Sequence, residues 1–306
     1  MAKQNTYPRR VVAIDFIRRM RGGSQSSLLL CNDGNFYIVK LMGNPQGSTV
    51  LFSEALGTEL MRVAELSVPM WCPVEISDEF IEKHREIWFQ AATPGRVRPN
   101  AGIHFGSKLV MPSSTEALYE LLPRNWFKQI VNREEFIGAL LFDLWANQMD
   151  NRQALFLQHS NIRSIKAIFI DQGSLFIQNE DDADVNMSRA MFMDSSIYAD
   201  LPLELIVPKW LTRIRNFNEP MIRSLIGISN IPSEWYTPDI LESVIHGLMQ
   251  STRILQNDVS SIVSLLSHCS TINRSAKGLD DDIQLHGLGL RSGTYKRAGH
   301  RISGVC

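Results

Sequence analysis

The chain has 306 residues, 44% of them hydrophobic and 21% charged, enough apolar material for one large domain or two smaller ones, which excludes a disulfide-stapled mini-protein. Its 31 Lys and Arg against 32 Asp and Glu leave a formal net charge of -1, a balance that argues against a disordered chain and against a nucleic-acid-coating protein. Cys31, Cys72, Cys269 and Cys306 lie far apart with no CxxC pair, so neither a zinc site nor a disulfide framework is signalled and a cytoplasmic setting with reduced thiols is expected. The opening MAKQNTYPRR is followed by no apolar h-region, and SSLLLC is too short to span a bilayer; neither export nor a membrane partner is expected.

Residues 11–17 (VVAIDFI) read as a β-branched strand, followed by the basic glycine-serine turn RRMRGGSQSS. The run LLLC then meets Asn32-Asp33-Gly34-Asn35 and the run FYIVKLM, a hairpin signal because glycine supplies the positive φ of a tight turn. Leu51, Ala55, Leu56, Leu60, Val63 and Ala64 recur at helical spacing until Ser67-Val68-Pro69 stops the run. Segments 86–92 (EIWFQAA) and 105–111 (FGSKLVM) look extended, with Pro94, Gly95, Pro99, Gly102 and Gly106 expected to break the chain.

Beyond Pro112 helices dominate. Ser113 to Glu116 can cap a helix running to Leu122, and Asn132-Arg133-Glu134-Glu135 can cap a longer one ending at Trp145. Two strand-like runs interrupt them, 154–158 (ALFLQ) and 165–171 (IKAIFID), the second closing on Asp171-Gln172-Gly173. The acidic stretch 178–187 (QNEDDADVNM) is expected to be a solvated loop, and helices return at 202–217, 219–226 and 238–266. Past His268 the chain is glycine- and serine-rich, with Arg291, Lys296, Arg297 and Arg301 near its end; it reads as a flexible tail and not as a nucleic-acid arm. The expected division is a small β-rich unit at 1–110, a mostly helical unit at 111–270 and the tail at 271–306.

No GxxxxGK[ST] loop is present, and HGLGLRSG at 286–293 has the wrong glycine spacing for a dinucleotide fingerprint. The seven histidines show no HExxH or paired-ligand spacing and read as structural or solvated; a GxSxG elbow is also missing. What remains is an ordered set: Gly22-Gly23-Ser24, Lys40 in a strand, Glu54 on the next helix, Asp150 with Arg152, and Asp171 at a strand end. Phosphoryl transfer needs groups of these types, because its catalysis is mostly positioning and charge neutralisation around the phosphate. Taken singly, each has a plainer reading. Lys40 can be a solvated strand lysine, Gly22-Gly23 a simple hairpin turn, Asp150 a turn cap, and Glu59 competes with Glu54 on the same helix. Asp171 after the apolar run KAIFI would be costly to bury without a cation or metal partner.

The order GGSQSSLLLCNDGNFYIVKL, LFSEALGTELMRVAELSVP, HFGSKLV, EEFIGALLFDLWANQMDNRQALF, IKAIFIDQGSLF, IPSEWY is similar to that of the HipA-like kinase domain family over about residues 8–265. The resemblance implies an α+β, two-lobed protein-kinase-like fold with a small β-rich N-lobe and a mostly helical C-lobe, ATP in the cleft and Mg²⁺ as cofactor. By position, Gly22, Gly23, Ser24 and Ser26 would belong to the phosphate-covering loop, Lys40 would hold the phosphates, and Glu54 would orient Lys40. Asp150 would be the catalytic aspartate, Arg152 would neutralise charge on the phosphoryl oxygens, and Asp171 would hold the metal. Leu155 stands where such kinases carry a metal-binding asparagine, five residues after the catalytic aspartate, so either Asn151 or Gln153 substitutes for it or one metal suffices. The implied partners are ATP and a protein with a serine or threonine acceptor, the chain itself included, with Ser24 or Ser26 as candidates. A nucleotide-binding pseudokinase or interaction module, and a lipid or small-molecule kinase, stay open at this level.

Overall fold

The computed structural model describes residues 9–20, 24–45, 47, 49–91, 95–113, 115–159, 164–176, 192–257, 260, 262–264, 266–267, 293–297 and 300–304. The glycine pair Gly22-Gly23, the acidic stretch 178–187 and most of the tail expected at 271–306 therefore lie outside the described residues.

The early strands belong to a closed sheet with one face turned inward. Strands β1 (Val11–Arg19), β2 (Ser27–Cys31) and β3 (Phe36–Lys40) form antiparallel neighbours. The turn between β2 and β3 holds Gly34 at φ 75°, as its sequence requires. Two further strands, β4 (Trp71–Ile76) and β7 (Gly102–Lys108), close the barrel in the order β1-β2-β3-β7-β4, with β4 parallel to β1. Val11, Leu29, Cys31, Tyr37, Val39, Cys72 and Val74 fill it. Gly106 sits where a Cβ would lie 2.4 Å from Val74 Cγ2, so only glycine lets β7 approach β4 there. Cys31 and Cys72 are buried free thiols. Burial pushes His104 in the same barrel down to about 3, while its Nδ1 accepts from the Met42 N–H at 2.8 Å, a structural histidine.

Helix α1 (Val50–Val63) follows β3, and every residue from Leu51 to Met61 is buried. A helix buried on all sides must satisfy each polar group it carries. Ser53 Oγ donates to Leu175 O at 3.1 Å, and Glu59 accepts from Trp71 Nε1 at 2.9 Å and from Arg62. The helix ends with Glu65 at φ 65° and a Leu66 N–H bonded to Met61 O, closing its last turn before Pro69.

The chain between α1 and β7 departs from expectation. Strand β4 and helix α2 (Asp78–Lys83), capped by Ser77, form where no element was assigned, and among the described residues of segment 86–92 only β5 (Phe89–Gln90) is strand, paired with β6 (Arg96–Val97). Nor do Ser113 to Glu116 start a helix. The Ser113 N–H does bond to Glu116 Oε2 at 2.9 Å, yet residues from Glu116 form strand β8 (Glu116–Tyr119). The free edge of β9 (Gln153–His159) supplies backbone partners that outweigh local helix signals, and Leu118 pairs with Leu157. β10 (Ser164–Ile170) completes this sheet in the order β10-β9-β8.

Helix α3 (Glu135–Trp145) has Glu134 at its N-cap instead of Asn132. The Asn132 side chain bridges to β10, accepting from the Ala167 N–H and donating to Ala167 O, each at 2.9 Å. Helices α4 (Leu203–Arg215), α5 (Glu219–Ile228) and α6 (Pro238–Asn257) follow. The described parts of the tail are two antiparallel strands, β11 (Gly293–Arg297) and β12 (His300–Gly304). A second, larger apolar cluster joins α1 to α3–α6 and to the β9–β10 sheet, distinct from the barrel interior. The result is an α+β, two-lobed kinase-like fold whose α1 packs into the helical half. Among the described residues no helix is long and apolar enough to cross a membrane.

The α3–α4 contact is tight. A Cβ on Gly138 would lie 2.5–2.7 Å from the Trp210 indole carbons. Gly138→Ala should therefore cost about 1–3 kcal/mol through overpacking, read as a lower urea midpoint with unchanged slope. Adding Trp210→Leu should remove the clash, so the double variant's loss falls short of the sum of the single losses; additive losses would contradict this packing.

Candidate active site

Tyr37 and Val39 point into the barrel, so β-alternation turns Ile38 and Lys40 to the opposite face, towards α1. There the Lys40 ammonium donates to Glu54, one turn into α1, and to Asp171 Oδ1 at 2.6 Å. The sequence ambiguity between Glu54 and Glu59 is resolved, because Glu59 faces Trp71 and Arg62. Burial alone would lower the Lys40 pKa, but the two carboxylates outweigh it and raise it. Burial alone would raise Asp171, but Lys40 outweighs it and holds that carboxyl below its ordinary value. Glu54 is pushed up by burial, against the pull of Lys40, and it also accepts the Gln172 N–H. Gly173 makes room for this cluster: a Cβ there would stand 2.9 Å from Glu54 Oε1 and 3.2 Å from Lys40 Nζ.

Asp171 follows β10 with φ 65°, a backbone conformation costing roughly 1–3 kcal/mol for a residue other than glycine unless its surroundings hold it. Here they do. Its carbonyl accepts from Gln148 Nε2 and Arg152 Nη1, both at 3.3 Å, and its Oδ2 accepts from Gln153 Nε2 at 2.9 Å.

Arg152 departs from its expected role at the phosphoryl oxygens. Its guanidinium is 1% exposed, bonded through Nε at 2.8 Å and through Nη2 to Asp143, while Nη1 reaches Ile170 O at 3.0 Å as well as Asp171 O. With its donors directed at protein oxygens, Arg152 shapes the turn that carries Asp171. Asp143, on the fully buried stretch of α3 from Phe136 to Trp145, holds Arg152 in place and was missed by the sequence reading. Its signal was a carboxylate inside the apolar run FIGALLFDLW, which could not be buried without a cation.

Asp150 is exposed at the start of the turn leading into β9, and its Oδ2 accepts from Ser174 Oγ at 2.6 Å. Strand alternation explains Leu155. On β9, Ala154 and Phe156 point into the core, so Gln153 and Leu155 face the cleft together, and Gln153 pairs with Ile170, next to Asp171. Leu155 thus adds to an apolar floor with Ile170, and the amide beside Asp171 belongs to Gln153.

These groups open into one cleft of about 1000 Å³, walled by Ser24 and Ser26 from the barrel side and by Asp150, Gln153 and Asp171 from the helical side. Ser24 is half-buried, its carbonyl accepting from Asn44 Nδ2 at 2.8 Å, whereas Ser26 is buried. The arrangement offers a fixed ammonium, three carboxylates of differing exposure in Glu54, Asp171 and Asp150, and an apolar floor; because the carboxylates outnumber the ammonium, it suits an anionic ligand with an aromatic head when that ligand is accompanied by a hard cation.

A family model described as HipA-like kinase matches residues 13–257. No curated protein matches the chain. Among solved structures it is similar to the Helicobacter pylori proinflammatory kinase CtkA, at 12% identity and TM-score 0.49 over 86% of this chain and 99% of that one. It is also similar to the Golgi casein kinase with Mn/ADP bound, at 13% identity and TM-score 0.48 over 83% of this chain and 73% of that one. The stretch matched by the family model runs from within β1 to the end of α6 and takes in every cleft residue named above, and the chain accordingly belongs to the HipA-like kinase family.

Proposed function

We propose that the protein transfers the γ-phosphoryl group of ATP to a serine or threonine hydroxyl of a protein, with Mg²⁺ as cofactor. The observation that carries this reading is the meeting of Lys40, Glu54, Asp171 and Asp150 in one cleft. Lys40, oriented by Glu54, holds the nucleotide phosphates. Asp150 orients the acceptor hydroxyl and takes its proton as the new O–P bond forms and the β,γ-bridging O–P bond breaks, releasing ADP. Ser24 and Ser26, with Gly22 and Gly23 outside the described residues, belong to the loop over the phosphates.

The donor set fits a hard cation: the Asp171 carboxylate and, after rotation of its amide, the Gln153 carbonyl oxygen. Among the described residues no group of three His, Cys, Asp or Glu could hold a metal by itself, as expected of an ion that takes its remaining ligands from phosphates and water. Bound there, Mg²⁺ would neutralise charge on the phosphate oxygens. Ser24 on the cleft wall is the better-placed internal acceptor, since Ser26 is buried. Leu155 favours a second reading, a nucleotide-binding module without transfer.

Incubation with γ-labelled ATP and Mg²⁺ should label the chain or a generic protein substrate but not an inositol lipid, with internal label found on Ser24 by mass spectrometry. Asp150→Ala should abolish label while keeping ATP-induced thermal stabilisation; transfer by that variant would refute the assignment. Stabilisation of the unmodified protein without any label would leave the module reading standing. Gln153→Leu should raise the Mg²⁺ concentration needed for half-maximal transfer about tenfold or more, with Gln153→Asn restoring part of it; an unchanged metal dependence would remove Gln153 from the site.

Asp143→Asn removes the counter-charge of a fully buried guanidinium, a change costing about 3–5 kcal/mol where a buried pair is broken outright. Because Arg152 shapes the Asp171 turn, the variant should lose kcat and metal affinity together, beyond what its lowered thermal midpoint accounts for. Wild-type metal affinity in a folded Asp143→Asn protein would show that the pair only stabilises the fold.

A further inference from the structure

Ser174 follows Gly173 on the cleft wall, three residues beyond Asp171. Its hydroxyl donates to Asp150 Oδ2 at 2.6 Å, a short hydrogen bond to a carboxylate. Among the described residues Asp150 Oδ1 accepts from no protein donor. An exposed carboxylate is solvated by water without help from the protein, so this bond adds little to the stability of the fold. What it fixes is the rotation of the Asp150 side chain.

The main chain holds Ser174 in place independently of its hydroxyl. The Met149 N–H donates to Ser174 O at 3.1 Å and the Phe176 N–H donates to Ala146 O at 2.8 Å, so residues 174–176 are stitched to the turn that leads to Asp150. Leu175 is buried, and its carbonyl accepts from Ser53 Oγ of α1 at 3.1 Å, one residue before Glu54. Were the Ser174 hydroxyl only a tie between loops, these bonds would make it redundant. Instead it is a donor on a rigid segment, aimed at a carboxylate on an exposed one.

We propose that Ser174 is a positioning residue for Asp150: by holding Oδ2 it presents Oδ1 to the acceptor hydroxyl and ties the base to the turn that carries Asp171. The inference rests on the phosphotransferase reading, in which the acceptor's proton passes to Asp150 Oδ1 as its oxygen bonds to the γ-phosphorus. Ser174 keeps its own proton and its bond to Oδ2 throughout. A base that must lie within hydrogen-bonding reach of one hydroxyl gains from losing its other rotamers, since misplacement by about 1 Å can cost about a hundredfold in rate. On the nucleotide side of the cleft, the hydrogen bonds that join Lys40 to Glu54 and Asp171, and Gln153 to Asp171, do not involve the Ser174 hydroxyl. Its effect therefore belongs to the transfer step and not to ATP binding.

The test compares Ser174→Ala and Ser174→Thr with the unmodified protein in the initial rate of transfer from γ-labelled ATP, to whichever acceptor the unmodified protein labels. KM for ATP, the Mg²⁺ concentration for half-maximal transfer and the thermal midpoint are measured on the same preparations. Ser174→Ala should lower kcat about tenfold or more, with the other three quantities near those of the parent. Ser174→Thr, which keeps the hydroxyl, should restore most of the rate. A parental rate in Ser174→Ala, a loss matched by weaker ATP or metal binding, a Ser174→Thr variant as slow as Ser174→Ala, or label on Ser174 itself would each overturn the proposal. In all four cases the phosphotransferase reading stands, because the unmodified protein transfers; no transfer by the unmodified protein overturns that reading and this inference with it.

Discussion

The structure turns on a buried ammonium. Lys40 comes from the barrel, Glu54 from the one helix buried between the two halves, and Asp171 from the turn after β10, and the three meet at hydrogen-bonding distance. Lys40 could not be removed from there at small cost: Glu54 is 2% exposed, and a charge so placed needs a partner. The contact thus does more than attract. It makes the relative positions of the barrel, α1 and the Asp171 turn a condition of a tolerable electrostatic arrangement, and Gly173 is the residue that lets the backbone come close enough. Buried ion pairs seldom add net stability, since desolvation cancels most of the attraction; what this one supplies is geometry.

A second buried pair repeats the logic one layer deeper. Asp143 and Arg152 are almost without exposure, and the guanidinium spends its third arm on the carbonyls of Ile170 and Asp171. Together with Gln148 it holds Asp171 in a left-handed conformation that the residue would not keep in isolation. The cleft carboxylate is therefore fixed at its side chain by Lys40 and at its main chain by Arg152. This double anchoring separates two neighbouring residues: Asp150 is exposed and, among the described residues, its side chain accepts from Ser174 alone, while Arg152 has its donors taken up by protein oxygens.

Chain order and residue type made much of the fold legible. The β2–β3 turn, α1, the β9–β10 hairpin and the later helices carry strong local signals: a glycine turn, helical apolar spacing, two short apolar runs closing on Asp171. Elements without such signals were misread. The Ser113–Glu116 segment has helix-capping chemistry, and its N–H to carboxylate bond does form, but the exposed edge of β9 draws the residues from Glu116 to Tyr119 into a sheet. Strand β4 begins with Trp71 and Cys72 and contains Pro73, a composition that hides a strand until a neighbouring β1 and β7 supply its partners.

For the site, the sequence by itself determined which ionisable groups exist and in what order, and that order carried the family resemblance that the family model bears out over 13–257. Tertiary structure alone decided how each was used. Strand alternation turned Gln153 and Leu155 to the cleft and gave Gln153 the place beside Asp171, helix periodicity separated Glu54 from Glu59, and the depth of α3 made Arg152 the partner of Asp143 in place of the expected contact with phosphoryl oxygens. The reason is physical: residue type sets what charge a side chain can carry, but the free energy of that charge depends on its distance to other charges and to water, and those distances exist only once segments remote in sequence have packed together.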